Sequence, residues 1–253
     1  MFLNTEGKLV DGDGLFQSIG DALEHFSRDP VAFMVPTLLY PLFLLITLGA
    51  FVWIMFILFM LLTLLGVGGE IMLYVLGGVG ALLALAYMLL SAGYKGAMVA
   101  EYNNASDKGE VGLMHFMRYA LANSGGLFII SIVKMAVTGF VVMPFVLLYY
   151  FLLINLWDGW LYLFGIIALF LVFIIEFMFA FSFTAYVVRK VSPITAMIIS
   201  FNFIKEKNVK ALLVYGFYGL VALSTLVPIL NIITYLVFYP IAYTSLVLFF
   251  KGR

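Results

Sequence analysis

Two stretches of this chain, residues 31–66 and 211–250, contain no charged residue at all. Each is far longer than the roughly 20 residues an α-helix needs to cross a bilayer. A domain folded in water averages about 45–50% apolar and about 25% charged residues, and it cannot hide runs of this length. Here 65% of the chain is hydrophobic and 10% is charged. The bilayer is therefore the solvent in which the chain folds. A transmembrane barrel needs short segments that alternate between apolar and polar residues. These runs are continuous, so the expected class is all-α, a polytopic helical membrane protein.

Taken in order, the chain opens with apolar residues at helical spacing. Leu15, Phe16, Ile19, Leu23 and Phe26 share one side, with Asp21, Glu24, His25 and Arg28 turned away and Asp13 placed to cap. A segment this short and polar is expected to lie on the membrane surface, and Pro30 separates it from the first span. That span covers residues 31–66, with Pro36 and Pro41 as kink positions. GVGGE at residues 66–70 turns the chain into a second span, residues 71–100, whose Lys95 and Glu101 are expected to snorkel to the interface.

The polar connection NNASDKGE, residues 103–110, leads to a second amphipathic segment over residues 111–122, with Leu113, Met114, Met117 and Leu121 on one side. Asn123 and Ser124 precede the third span; the fourth follows a loop at residues 155–159 and leaves at Arg189 and Lys190. Ser192 and Pro193 read as the N-cap and first residue of a third amphipathic helix, whose apolar positions are Ile194, Met197, Ile198, Phe201 and Ile204. Two further spans, turned around residues 228–231, bring the expected count to six.

Basic residues set the orientation. All 13 Lys and Arg except Lys134 lie toward one side of this topology. The positive-inside rule then puts both termini in the cytoplasm of a multi-pass cell-membrane protein. The opening MFLNTEGKLVDGDG lacks the basic and apolar regions of a cleaved signal peptide, so the first span is expected to direct insertion. Tyr149, Tyr150, Trp157, Trp160 and Tyr162 form an aromatic belt for the outer face. With no cysteine there is no disulfide framework, thiolate metal site or cysteine nucleophile. A net charge of zero makes no electrostatic case for nucleic acid.

Lys134 and Glu176 are the sole charges in the apolar runs of the third and fourth spans. An unpaired charge in hydrocarbon costs several kcal/mol, so such residues pair, face the bundle interior or line a wet cavity. At about 1.5 Å per residue, Lys134 lies about 15 Å above residue 125 and Glu176 about 20 Å above residue 190. In an antiparallel hairpin the two meet as a buried pair. The pair serves either proton or solute transport or helix register alone. Arg189, Lys190, Lys205, Lys207 and Lys210 form a basic patch that either sets topology or binds lipid headgroups or a protein partner.

Other motifs carry less. His25 and His115 show no metal-ligand spacing, no metal or cofactor is expected, and Asp11-Gly12-Asp13-Gly14 lacks the distal Glu of a calcium loop. The acidic run of Glu6, Asp11 and Asp13 reads as a solvated tail. Gly77, Gly78 and Gly80 sit inside a span, where small residues let helices approach.

The chain also reads as three related parts of one membrane domain, residues 14–101, 111–190 and 192–250, each a surface helix followed by a hairpin of two spans. Aligning Phe26, Leu121 and Ile204 places Pro30, Gly125 and Asn208 at the junctions. Pro144 and Pro228 then occupy matching places in the second and third parts, where the first has Gly49. This plan resembles the multipass families related to the membrane domain of bacterial glycerophosphodiester phosphodiesterases. The likeness is greatest in SPITAMIISFNFIKEKNVKALLVYGFYGLVAL and VPILNIITYLVFYPIAYTSLVLFF. It implies a fold rather than an activity, and no phosphodiesterase domain with acidic and histidine metal ligands accompanies it. The expected function is a non-enzymatic integral membrane module, a scaffold, assembly or lipid-organising subunit, with membrane lipids and a protein partner around it. The alternative is a small-solute, ion or lipid transporter that uses the Lys134–Glu176 pair.

Overall fold

A computed structural model describes residues 14–107, 111–154, 158–225, 227 and 231–252. The acidic residues Glu6, Asp11 and Asp13, the belt residue Trp157 and turn residues 228–230 lie outside the described residues, as do the side chains of Leu15, Trp160 and Tyr162. All elements among the described residues are helical. They are α1 (Gly14–Arg28), α2 (Pro30–Leu64), α3 (Gly69–Ser106), α4 (Leu113–Ile154), α5 (Asp158–Met178), α6 (Ser182–Arg189), α7 (Pro193–Lys207) and α8 (Val209–Ser224). The chain then continues as α9 (Asn231–Ile233), a π-helical segment (Thr234–Phe238) and α10 (Tyr239–Lys251).

Local chemistry sets several boundaries. Asp29 caps α2 by accepting the Ala32 N–H at 3.1 Å, and Pro30 follows where its missing N–H costs nothing. Gly66, at φ +68°, ends the same helix and lets the Val67 N–H return to the Leu62 carbonyl at 3.1 Å. Ser192 caps α7 through the Thr195 N–H at 3.3 Å, again with proline as the first helical residue. Pro240 cannot donate to the carbonyl four residues back, and the helix widens into its π-helical turn just before it.

Among the described residues, five helical stretches are long and apolar enough to cross a membrane: Pro30–Leu64, Gly69–Ser106, Leu113–Phe151, Leu163–Arg189 and Asn231–Lys251. The segment expected as a further span is α8, which has 16 residues. In α2, Val52, Trp53, Ile54, Phe56 and Ile57 are all exposed, and five such positions cannot share one helix face. The outer parts of α3, α4 and α5 expose apolar residues in the same way, including Leu73 and Tyr74, Phe140 and Met143, Leu169 and Phe170. Surfaces of this kind, on helices long enough to span a membrane, suit contact with lipid.

Packing is concentrated at the opposite ends of these helices. There α10 is the axis, with every residue from Pro240 to Phe250 buried. The rings of Tyr243 and Tyr102 meet at a tilt, 5.5 Å between centres, and Phe203 packs on Phe249 and Phe250 at 5.5 and 5.0 Å.

The amphipathic segments depart from expectation in three ways. The second is not a separate element, because α4 runs unbroken through residues 123–126. Asn123 and Ser124 donate to carbonyls four and three residues back, and Gly126 leaves room within the helix for the Tyr186 ring, which a side chain there would meet. In α1 the buried edge is Ser18 and Ala22, which pack toward α10, while Phe16 and Leu23 remain exposed. In α7 the buried face is Ala196, Met197 and Ser200, so Ile194 and Ile198 point away from the bundle. The face is turned because Phe203, absent from the apolar pattern, docks on Phe181 at 4.9 Å.

The contact between α3 and α4 depends on glycine. A Cβ at Gly93 would lie 2.6 Å from the Ala120 carbonyl oxygen, and one at Gly96 would meet the Leu127 methyls. Gly93→Ala should cost about 1–3 kcal/mol, as overpacking does. Gly96→Ala should cost less because Leu127 can rotate, and Gly139→Ala, with open space around it, should be close to neutral. Thermal unfolding in detergent checks this order, and equal melting points for the Gly93 and Gly139 variants would refute it.

Candidate functional site

The α3–α4 contact carries two of the chain's scarce charges to the same place. Lys134 on α4 meets Glu176 on α5, with Nζ 3.0 Å from Oε2 and 2.9 Å from Oε1. The pair is not sealed: the Lys134 side chain is 23% exposed and that of Glu176 is 41% exposed. Both line a crevice of about 80 Å³ with Lys95, Tyr215, Tyr218 and Tyr243. That volume exceeds what one water needs, and the polar lining gives water partners. The crevice is therefore a polar recess in which the two charges are only partly desolvated.

Lys95 departs from the expected role. It does not reach along α3 to the interface; its ammonium lies 5.2 Å from the centre of the Phe183 ring, within the crevice. Ser91, Ala92, Gly93, Gly96 and Ala97 surround it in sequence, a small-residue run that marks close helix contact. A charge inside such a run is enclosed by protein, and that signal could have found Lys95. Tyr215 and Tyr218 share a face of α8 by their i, i+3 spacing. Tyr218 shares a 3.1 Å hydrogen bond with the Tyr239 hydroxyl, and its ring meets that of Tyr243 edge-on at 5.3 Å.

One turn beyond Glu176 the helix breaks. α5 ends at Met178 and α6 starts at Ser182, and Phe179 and Ala180 of the break line the crevice. Ser200 of α7 donates to the Met178 carbonyl at 3.0 Å, supplying a partner that the broken helix no longer provides.

Glu101 is the second correction. It is fully buried rather than snorkelling, accepts the Gly112 N–H at 3.1 Å, and contacts His115 Nδ1. Lys251 Nζ donates to Asp107 Oδ2 at 2.7 Å and to Ser106 Oγ at 3.2 Å. These contacts clamp the end of α3 to the start of α4 and to the end of α10. His25 and His115 belong to no group of three or more metal-ligating side chains among the described residues.

The basic patch stays on the surface. Arg189, Lys190, Lys205, Lys207 and Lys210 are all exposed. Arg189 lies 5.9 Å from the Phe250 ring centre, and Lys207 approaches Glu206 at 3.9 Å. Of the belt residues with described side chains, Tyr149 and Tyr150 are exposed.

Helix geometry gives the depth of the crevice. At about 1.5 Å per residue, Lys134 lies about 30 Å from Ile154, Glu176 about 27 Å from Asp158, and Lys95 about 39 Å from Gly69. Hydrocarbon is about 30 Å thick. With the apolar helix tips at one boundary of such a layer, Lys134 and Glu176 would fall near the other and Lys95 about 9 Å beyond it. Compared with family models, curated proteins and solved structures, the chain matches none.

Removing one partner of a sealed pair costs about 3–5 kcal/mol, whereas exposed pairs contribute about 0.2–1. The partial exposure of Lys134 and Glu176 puts their coupling between these limits, at about 1–3 kcal/mol. Lys134→Met and Glu176→Gln should each lower thermal stability in detergent, and the double variant should recover much of the loss. A double-mutant cycle showing additive effects would remove the pair from any account of how α4 and α5 are held.

Proposed function

We propose that the chain is a non-enzymatic integral membrane module of the lipid-organising kind. It crosses the cell membrane six times as three hairpins, with both termini in the cytoplasm. The observation that carries this reading is the shape of the apolar surface. α2, α3, α4 and α5 pack together at one end, while toward the other they pair only as α2 with α3 and α4 with α5 and leave broad apolar faces exposed. A bundle built this way spends most of its length in contact with lipid. The bulky edge of α1, Phe16 and Leu23, and the outward Ile194 and Ile198 of α7 add apolar wedges near the packed end. The exposed cations at residues 189–210 supply the complement to acidic headgroups, at about 1 kcal/mol for each cation near the surface. The resemblance of the last third to the membrane domain of glycerophosphodiester phosphodiesterases fits a module of this kind.

The second reading, a transporter, draws on one specific feature. A helix broken beside a charged pair, next to a polar recess, is the arrangement in which carriers coordinate ions and small solutes. Proton entry into proteoliposomes under an imposed pH gradient separates the two. The module should leak no faster than protein-free vesicles; a flux abolished in the Lys134→Met/Glu176→Gln double variant would assign the transporter instead.

Topology has its own test, made simple by the absence of native cysteines. Glu70→Cys, at the exposed start of α3, should react with an impermeant thiol reagent in intact cells, and Lys207→Cys, exposed at the end of α7, should be protected until the cells are opened. The reverse pattern would invert the orientation.

A further inference from the structure

The crevice holds two ammonium groups, Lys95 and Lys134, against one carboxylate, Glu176. Lys134 is satisfied by Glu176 at 2.9 Å. Lys95 has the Phe183 ring, and among the described residues no carboxylate lies within ion-pair distance of it. Nor do the hydroxyls of Tyr215 and Tyr243, which line the same recess, take a hydrogen bond from or give one to any described residue. One ammonium without an ion-pair partner and two phenolic hydroxyls without a hydrogen bond among the described residues thus share about 80 Å³ with the Lys134–Glu176 pair. Ammonium groups only donate, and a phenol meets an anion as a donor, so what completes this set is an anionic oxygen-bearing group.

We propose that the crevice is a binding site for one phosphate-bearing monoanion, with Lys95 pairing with its charge and Tyr215 and Tyr243 donating to its oxygens. A phosphodiester carries one negative charge and neutralises the recess. A phosphomonoester, at about −1.5 to −2, overshoots it. The depth of the site agrees, since Lys134 and Glu176 lie about 30 Å and Lys95 about 39 Å from the opposite apolar tips, at or just beyond the hydrocarbon boundary where headgroup phosphates sit. The same chemistry has two sources, the headgroup of an acidic phospholipid and free inorganic phosphate in its singly charged form. The lipid source rests on reading the chain as a lipid-organising module.

Native mass spectrometry of the full chain in mild detergent tests the site, with phosphatidylglycerol, phosphatidylcholine and inorganic phosphate as probes. The wild-type chain should retain phosphatidylglycerol over phosphatidylcholine. Lys95→Met should lower that retention by about tenfold, the loss of one charge-assisted contact. Lys95→Arg should keep most of it. Arg118→Met removes an exposed cation outside the crevice and should bind as the wild type does. The Tyr215→Phe/Tyr243→Phe double variant keeps both rings and should also lose retention, and it decides the matter if Lys95→Met does not fold. Displacement of the lipid by inorganic phosphate supports the site with free phosphate as its ligand, and resistance to displacement supports the headgroup. Equal retention of the two lipids by the wild-type chain overturns the proposal, as does phosphatidylglycerol retention unchanged in both the Lys95→Met and tyrosine variants. Proton flux on the same preparations reports on the module separately: retention with flux keeps the site and rejects the module, and neither retention nor flux does the opposite.

Discussion

The close approach of α3 and α4 is the contact on which the rest depends. At Gly93 there is no room for even a methyl group, because the Ala120 carbonyl occupies its place. Such proximity is available only to small residues, and in lipid it is one of the main sources of helix association. The contact brings Lys95 of α3 to the level of Lys134 of α4, and α5 then meets α4 through Glu176. From there the axial helix α10 fills the space between α1, α3 and α8, presenting Tyr243 to the recess and Lys251 to the end of α3.

Burial of backbone polar groups accounts for the contacts that stitch this end together. Pro41 cannot donate to the Thr37 carbonyl, and the Tyr235 hydroxyl does so in its place at 2.9 Å. The Thr37 hydroxyl in turn meets the Tyr102 hydroxyl at 2.5 Å, and that of Thr47 meets Tyr94 at 3.1 Å. Where α5 breaks, Ser200 takes over the Met178 carbonyl. Both of these irregularities are met by a side chain from another helix, as a buried orphaned backbone group requires. The irregular points are therefore also the points at which α2 is tied to the π-helical segment and α5 to α7.

Charge scarcity made part of the site legible beforehand. With a single charge in each of two long runs, Lys134 and Glu176 had few ways to avoid a large desolvation cost, and pairing was one of them. Lys95 and Glu101 were harder because they stand near the end of a span, where a long side chain ordinarily has water within reach. Whether it reaches depends on what packs over it. Phe183 covers Lys95, and residues 112–115 cover Glu101, and these contacts come from residues distant in sequence. Tyrosines were hidden for the opposite reason: among 15 of them, nothing in the spacing of Tyr215, Tyr218 and Tyr243 shows that they share one recess.

Composition and run length by themselves determined that the chain is helical and belongs in a bilayer. Proline, asparagine and glycine placed the breaks at residues 29–30, 66 and 208, because those effects act within one turn of backbone. Tertiary structure decided what local rules leave open. It kept α4 continuous through Gly125 and Gly126, turned α7 so that Phe203 packs on Phe181, and divided α1 into a small edge that docks and an edge, Phe16 and Leu23, that stays exposed. An apolar pattern in a membrane protein cannot separate these outcomes, because lipid and protein interior are equally apolar solvents for a side chain. Shape, at contacts such as Gly93 with Ala120, chooses between them.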